Sequence, residues 1–132
     1  MGLLARREYS QFELRARLKA RGYTDDLINN VLSELSKENL QSDTRFTESY
    51  LRMRVNRGFG PRRIQAELRE RGIAEELICE FIDENDAMWS TLVQRVLKKK
   101  FGDEPPADFK SRAKQLRFLQ YKGFQDVRIS GC

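Results

Sequence analysis

The chain has 132 residues and a formal net charge of +5, with 34% charged residues, three prolines and no histidine. That length holds one ordinary domain, and no stretch approaches the roughly 20 apolar residues of a membrane span. Without histidine the chain lacks the commonest general base and the commonest transition-metal ligand, and it carries no phosphate-loop, dinucleotide or serine-elbow motif. Neither catalysis nor a cofactor or metal is therefore expected.

The start, MGLLARREYS, has an apolar pair too short for a secretory signal, so a cytoplasmic placement is expected. Ser10 followed by Glu13 is a capping box that opens a helix, and Gly22, directly after Arg21, closes it as a left-handed cap with Tyr23 tucked back. The next helix presents Leu27, Ile28, Val31, Leu32 and Leu35 to the core. A longer helix begins near Asp43, carries Phe46, Tyr50 and Met53 as its stripe, and runs to about Arg57 before Gly58 breaks it. Gly60 and Pro61 then start a helix as N-cap and first-turn residue, and Gly72 with Ile73 ends it. Leu77, Ile78, Phe81 and Ile82 form the following apolar face.

Trp89, Leu92, Val93, Val96 and Leu97 mark another helix, and the Pro105, Pro106 pair forces a turn before Phe109, Ala113, Leu116 and Leu119. Lys122, Gly123 and Phe124 repeat the closing signal, leaving barely two turns from Gln125 to Cys132. Cys79 and Cys132 have neither disulfide-framework nor metal-ligand spacing, and both are expected to be free thiols.

A shift of 50 positions superimposes the segment from Arg7 on that from Arg57. Arg7, Ala16, Leu18, Arg21, Gly22, Leu27, Ile28 and Glu34 recur as Arg57, Ala66, Leu68, Arg71, Gly72, Leu77, Ile78 and Glu84. The chain is thus a tandem repeat, with units expected over 1–42, 43–87 and 88–132, the first and last trimmed. A unit of roughly 45 residues cannot bury a core alone. The expected fold is all-α: three-helix repeats stacked into an elongated, curved solenoid-like domain, with a long contact surface and no deep pocket.

Charge follows blocks. Residues 45 to 71 carry eight arginines against three glutamates, and Glu75 to Asp86 holds six acidic residues and no basic one. Arg52, Arg54, Arg57, Arg62, Arg63 and Arg71 flank the RGFGPRR turn, where guanidinium forks can meet carboxylates or phosphates on a partner; a solvated helix face is the alternative. For Gly58, Gly60 and Pro61 a structural turn is expected over an anion cradle, and for Tyr50, Phe59 and Trp89 packing over base stacking. Lys98, Lys99 and Lys100 read as a solvated helix end complementing the dipole, with weak nucleic-acid contact as the alternative.

From Asp43 the string DTRFTESYLRMRVNRGFGPRRIQAELRERGI resembles the central signature of the RecX family of bacterial recombination regulators. The run that carries the likeness is Asp43, Arg45, Phe46, Tyr50, Arg52, Arg54, Arg57, Gly58, Gly60, Pro61, Ile64, Glu67, Leu68, Arg71 and Gly72. The flanking LLARREYSQFELRARLKARGY and RFLQYKGF resemble the family's outer segments, whereas DVRISGC stands in place of a fuller final helix. The resemblance implies three-helix repeats and a monomer that binds the RecA recombinase, chiefly its filament on single-stranded DNA. It further implies restraint of strand exchange, ATP hydrolysis and co-protease activity through blocked filament extension or disassembly. Partner-binding roles then fall on Arg45, Arg52, Arg54, Arg57, Arg62, Arg63 and Arg71. The competing readings are a helix-turn-helix-like DNA-binding protein and a generic helical-repeat adaptor. Against the former stand the acidic helix and the lack of an unbroken base-reading face.

Overall fold

The computed structural model describes residues 7–124, which form seven α-helices and no strand among the described residues. They are α1 (Gln11–Ala20), α2 (Asp25–Lys37), α3 (Asp43–Asn56), α4 (Pro61–Glu70), α5 (Glu75–Phe81), α6 (Ala87–Phe101) and α7 (Phe109–Lys122). The first six residues, the two turns expected from Gln125 and the thiol expected at Cys132 lie outside the described residues, and Cys79 is a free, exposed thiol. None of the described helices is long and apolar enough to cross a membrane. The chain forms two compact units: residues up to Leu51 with Glu67–Phe81, and Arg52–Ala66 with those from Ile82 onward.

In the first unit, Ser10 caps α1 as its sequence predicts. Its hydroxyl accepts from the Glu13 N–H at 3.1 Å, and the Glu13 carboxylate accepts from the Ser10 N–H at 3.0 Å. Thr24 caps α2 in the simpler way. Tyr9, Leu14, Ile28 and Leu32 are buried together, with Leu18 and Leu35 packed against them. Leu27 and Val31 were expected in this core but are 47% and 37% exposed. Each sits one residue, or about 100° of helix rotation, away from buried Ile28 and Leu32, on the shoulder of the apolar stripe. Tyr23 is exposed as well, so Leu18, Tyr23, Leu27 and Val31 line a shallow apolar groove. Met53 on α3 and Phe109 at the start of α7 also depart from expectation and face solvent. Helix α5 ends at Phe81, so Ile82 is buried from beyond the helix.

The glycine caps obey one rule. After α1, α4 and α7 the glycine N–H bonds the carbonyl three residues back, and the next N–H reaches the carbonyl five back: Leu18 from Tyr23, Leu68 from Ile73, Leu119 from Phe124. This is the Schellman arrangement, which needs a left-handed residue; φ is 76° at Gly72 and 101° at Gly123.

The joint between consecutive repeats is built twice, once inside each unit. In the first unit the amino end of α1 sits on the cap after α4: the Ser10 hydroxyl donates to the Arg71 carbonyl at 2.8 Å, and Phe12 lies against Gly72. In the second, the amino end of α4 sits on the cap after α7: the Gly60 N–H donates to the Lys122 carbonyl at 2.7 Å and the Arg62 N–H to the Gly123 carbonyl at 3.0 Å. A Cβ on Gly60 would stand 2.6 Å from the Gly123 carbonyl carbon, so this backbone approach admits no side chain. Ile64, Ile82, Trp89, Leu92, Val93, Val96, Leu119 and Phe124 make up the buried apolar set of the second unit. The Trp89 indole N–H donates to the Asp83 carbonyl at 2.9 Å, which satisfies its one polar atom.

Candidate partner-binding surface

The RGFGPRR segment is a helix stop followed at once by a helix start. Gly58, at φ 83°, lets the Phe59 N–H bond the Arg54 carbonyl at 3.1 Å and close α3; Gly60 then precedes Pro61, the first residue of α4. The four-residue link, Arg57 to Gly60, fixes Phe59 between the helix ends, where three cations meet its ring. Arg54 lies 3.8 Å, Lys122 4.0 Å and Arg63 4.4 Å from the ring centroid. Each cation–π contact contributes about 0.5–2 kcal/mol, against the mutual repulsion of the cations. Arg63 is held further by the Tyr121 ring at 5.0 Å and by donation to the Tyr121 carbonyl at 3.1 Å.

Lys122 bears the strain of this crowding. Burial pushes its ammonium pKa below the ordinary lysine value, and the positive charge of Arg63, with smaller effects from Arg54 and Lys99, pushes it the same way. The ammonium donates to the Arg57 carbonyl at 3.3 Å.

The seven arginines singled out from sequence thus have different surroundings. In the second unit, Arg54 and Arg63 are brought together on Phe59; Arg52 is exposed; Arg62 is exposed and pairs with Glu84 at 2.7 Å. Arg57, also exposed, lines a cleft of about 440 Å³ together with Arg95, Lys99, Lys100 and Lys122. In the first unit Arg45 meets the Glu8 carboxylate at 3.3 Å and the Asn39 side chain at 2.9 Å. Arg71 reaches the Glu67 carbonyl at 3.0 Å, lies 3.8 Å from the Glu13 carboxylate and sits over the Tyr50 ring. Sequence reading missed Arg95 and Lys122 because nothing local marks them; Lys122 stands 65 residues from the Arg57 whose carbonyl it contacts.

The family models for the three successive three-helix domains of RecX match this chain in order. The first matches residues 1–35, the second 42–80 and the third 91–125. The chain belongs to the RecX family. The regulatory protein RecX of Pseudomonas entomophila (strain L48) is 43% identical over 124 residues, covering 94% of this chain and 80% of that protein. The regulatory protein RecX of Chromohalobacter salexigens is 45% identical over 127 residues, covering 96% and 83%. Two crystal structures share the fold, each with a TM-score of 0.77. RecX from Lactobacillus salivarius, at 20% identity, aligns with 98% of this chain and 87% of its own. Another regulatory protein RecX, at 22% identity, aligns with 94% of this chain, which spans 63% of that longer one. The all-α fold of tandem three-helix repeats is therefore that of the RecX regulatory proteins.

Proposed function

We propose that the protein regulates the RecA recombinase: it binds the RecA filament on single-stranded DNA and inhibits recombinase, ATPase and co-protease activity by blocking filament extension or promoting disassembly. The observation that carries this reading is the ordered match of all three RecX domains, joined to relatives described as regulatory proteins. The protein works by binding, as a cytoplasmic monomer with repeats over 1–42, 43–87 and 88–132, and carries out no chemistry of its own. Its contact surface draws on the arginines around the RGFGPRR turn, whose guanidinium groups make charge-assisted bonds to acidic side chains of the partner. Arg52, Arg57 and Arg62, all exposed, meet the partner directly; Arg54 and Arg63 shape the surface through Phe59. Arg45 and Arg71 brace the first unit from their internal pairs.

The test is RecA's single-strand-dependent ATP hydrolysis, titrated with substoichiometric amounts of this protein. The rate is expected to fall, and an unchanged rate would overturn the regulator reading. Arg52→Glu with Arg62→Glu is expected to raise the amount needed for half-inhibition by at least tenfold with helicity unchanged. Full inhibition by that variant would remove the arginine surface from the account while leaving regulation in place.

A further inference from the structure

The cleft beside Arg57 collects its charge from three places: the turn after α3 supplies Arg57, α6 supplies Arg95, Lys99 and Lys100, and the end of α7 supplies Lys122. Among the described residues no carboxylate lines it and none of these five cations forms an ion pair. Their neighbour Lys98 behaves differently, lying 3.5 Å from Asp103. Among the described residues, five unneutralised cations around about 440 Å³ make a strongly positive recess. A bound anion would supply the countercharge that the described residues withhold.

The recess also has an aromatic wall. Phe118 lines it, held edge-on by Phe101 with ring centroids 5.5 Å apart, and the Lys100 and Lys122 ammonium groups lie 5.5 and 6.0 Å from the Phe118 ring. Spaced cations beside a fixed ring suit a ligand with both phosphates and flat faces. A single nucleic-acid strand offers both, because its backbone carries one charge per nucleotide and its unpaired bases are free to stack. An acidic peptide has the charge without the flat faces, and a duplex keeps its bases stacked away.

We propose that this cleft binds a single nucleic-acid strand directly, with Arg57, Arg95, Lys99, Lys100 and Lys122 on successive phosphates and Phe118 against a base. The contact needs no RecA, so it goes beyond the regulator reading and stands or falls apart from it.

The test is fluorescence anisotropy of a labelled oligothymidylate with the full chain, in the absence of RecA, from 50 to 200 mM salt. Engagement of four or five phosphates predicts a slope of log affinity on log salt near −3, from about −0.7 per phosphate on single strands. Lys99→Glu with Lys100→Glu, both exposed, is expected to weaken binding at least tenfold and to flatten that slope by more than one unit. Lys19→Glu with Lys37→Glu, an equal change of net charge in the first unit, is expected to leave affinity within twofold. Equal loss in both variants would show a net-charge effect and overturn the site. Phe118→Leu is expected to weaken the oligonucleotide but not inorganic polyphosphate. Equal strength for polyglutamate and oligonucleotide, with no effect of Phe118→Leu, would make the cleft an acidic-peptide site and overturn the proposal. Undiminished binding by the Lys99, Lys100 variant would do so as well.

Discussion

The twice-built joint predicts that chemically identical substitutions at equivalent repeat positions have unequal costs. Gly22 and Gly123 both close a helix with positive φ, 91° and 101°. An alanine Cβ at Gly22 would meet nothing within 4 Å, so only the left-handed penalty of about 1–2 kcal/mol applies, reduced by about 0.4–1 kcal/mol through the stiffer unfolded chain. The net cost is about 1 kcal/mol. At Gly123 the same atom would stand 2.3 Å from the Arg63 Cβ and 2.7 Å from its backbone nitrogen. Relief requires the amino end of α4 to withdraw, adding about 1–3 kcal/mol of overpacking and weakening the Gly60 and Arg62 hydrogen bonds, each worth about 1 kcal/mol. Gly123→Ala should therefore cost roughly 3–5 kcal/mol. With a urea dependence of about 2 kcal/mol per molar, its midpoint falls by roughly 2 M, against roughly 0.5 M for Gly22→Ala. Urea titrations followed by far-ultraviolet circular dichroism and by Trp89 fluorescence measure both, because the single tryptophan lies in the second unit with Gly123. Equal midpoint shifts, or a larger one for Gly22→Ala, would refute the packing argument.

Ser10→Ala removes both the acceptor that caps α1 and the donor to the Arg71 carbonyl. About 1 kcal/mol for the cap and about 1 kcal/mol or more for the orphaned carbonyl predict a loss of roughly 2 kcal/mol by urea unfolding. Ser10→Asp retains the cap acceptor but not the donor, so it is expected to be no better than alanine. Ile28→Ala is expected to cost about 2–5 kcal/mol and Leu27→Ala under about 1 kcal/mol, since the first is wholly buried and the second 47% exposed; comparable losses would contradict the observed helix rotation. Because the folded state holds Lys122 below the ordinary lysine pKa of 10.5, the unfolded chain binds its proton more tightly. Stability from this group is thus reduced below the folded pKa and recovered as pH rises toward 10.5. The stability of the wild type relative to Lys122→Met is therefore expected to rise across that alkaline window, and a flat difference would count against the lysine's crowding.

Helix boundaries were legible because local chemistry sets them. Ser10 with Glu13, Gly60 with Pro61, and the three cap glycines act through hydrogen bonds spanning a few residues, so chain order suffices to find them. The 50-residue repeat, with the run from Asp43 to Gly72, was likewise enough to reach an all-α repeat fold and the family. Burial was legible only in part: periodicity marks an apolar stripe but not which edge of it a neighbour covers, and so Leu27, Val31, Met53 and Phe109 turned outward.

The candidate site divides in the same way. Sequence alone determined that arginines crowd the RGFGPRR turn, because the clustering is local. Only tertiary structure decided that Arg54 and Arg63 close on Phe59 beside Lys122, that Arg45 and Arg71 are engaged within the first unit, and that Arg57 joins Arg95, Lys99, Lys100 and Lys122 around one cleft. The physical reason is that Coulomb and cation–π energies depend on separation in space, and residues tens of positions apart acquire that separation only when their helices pack.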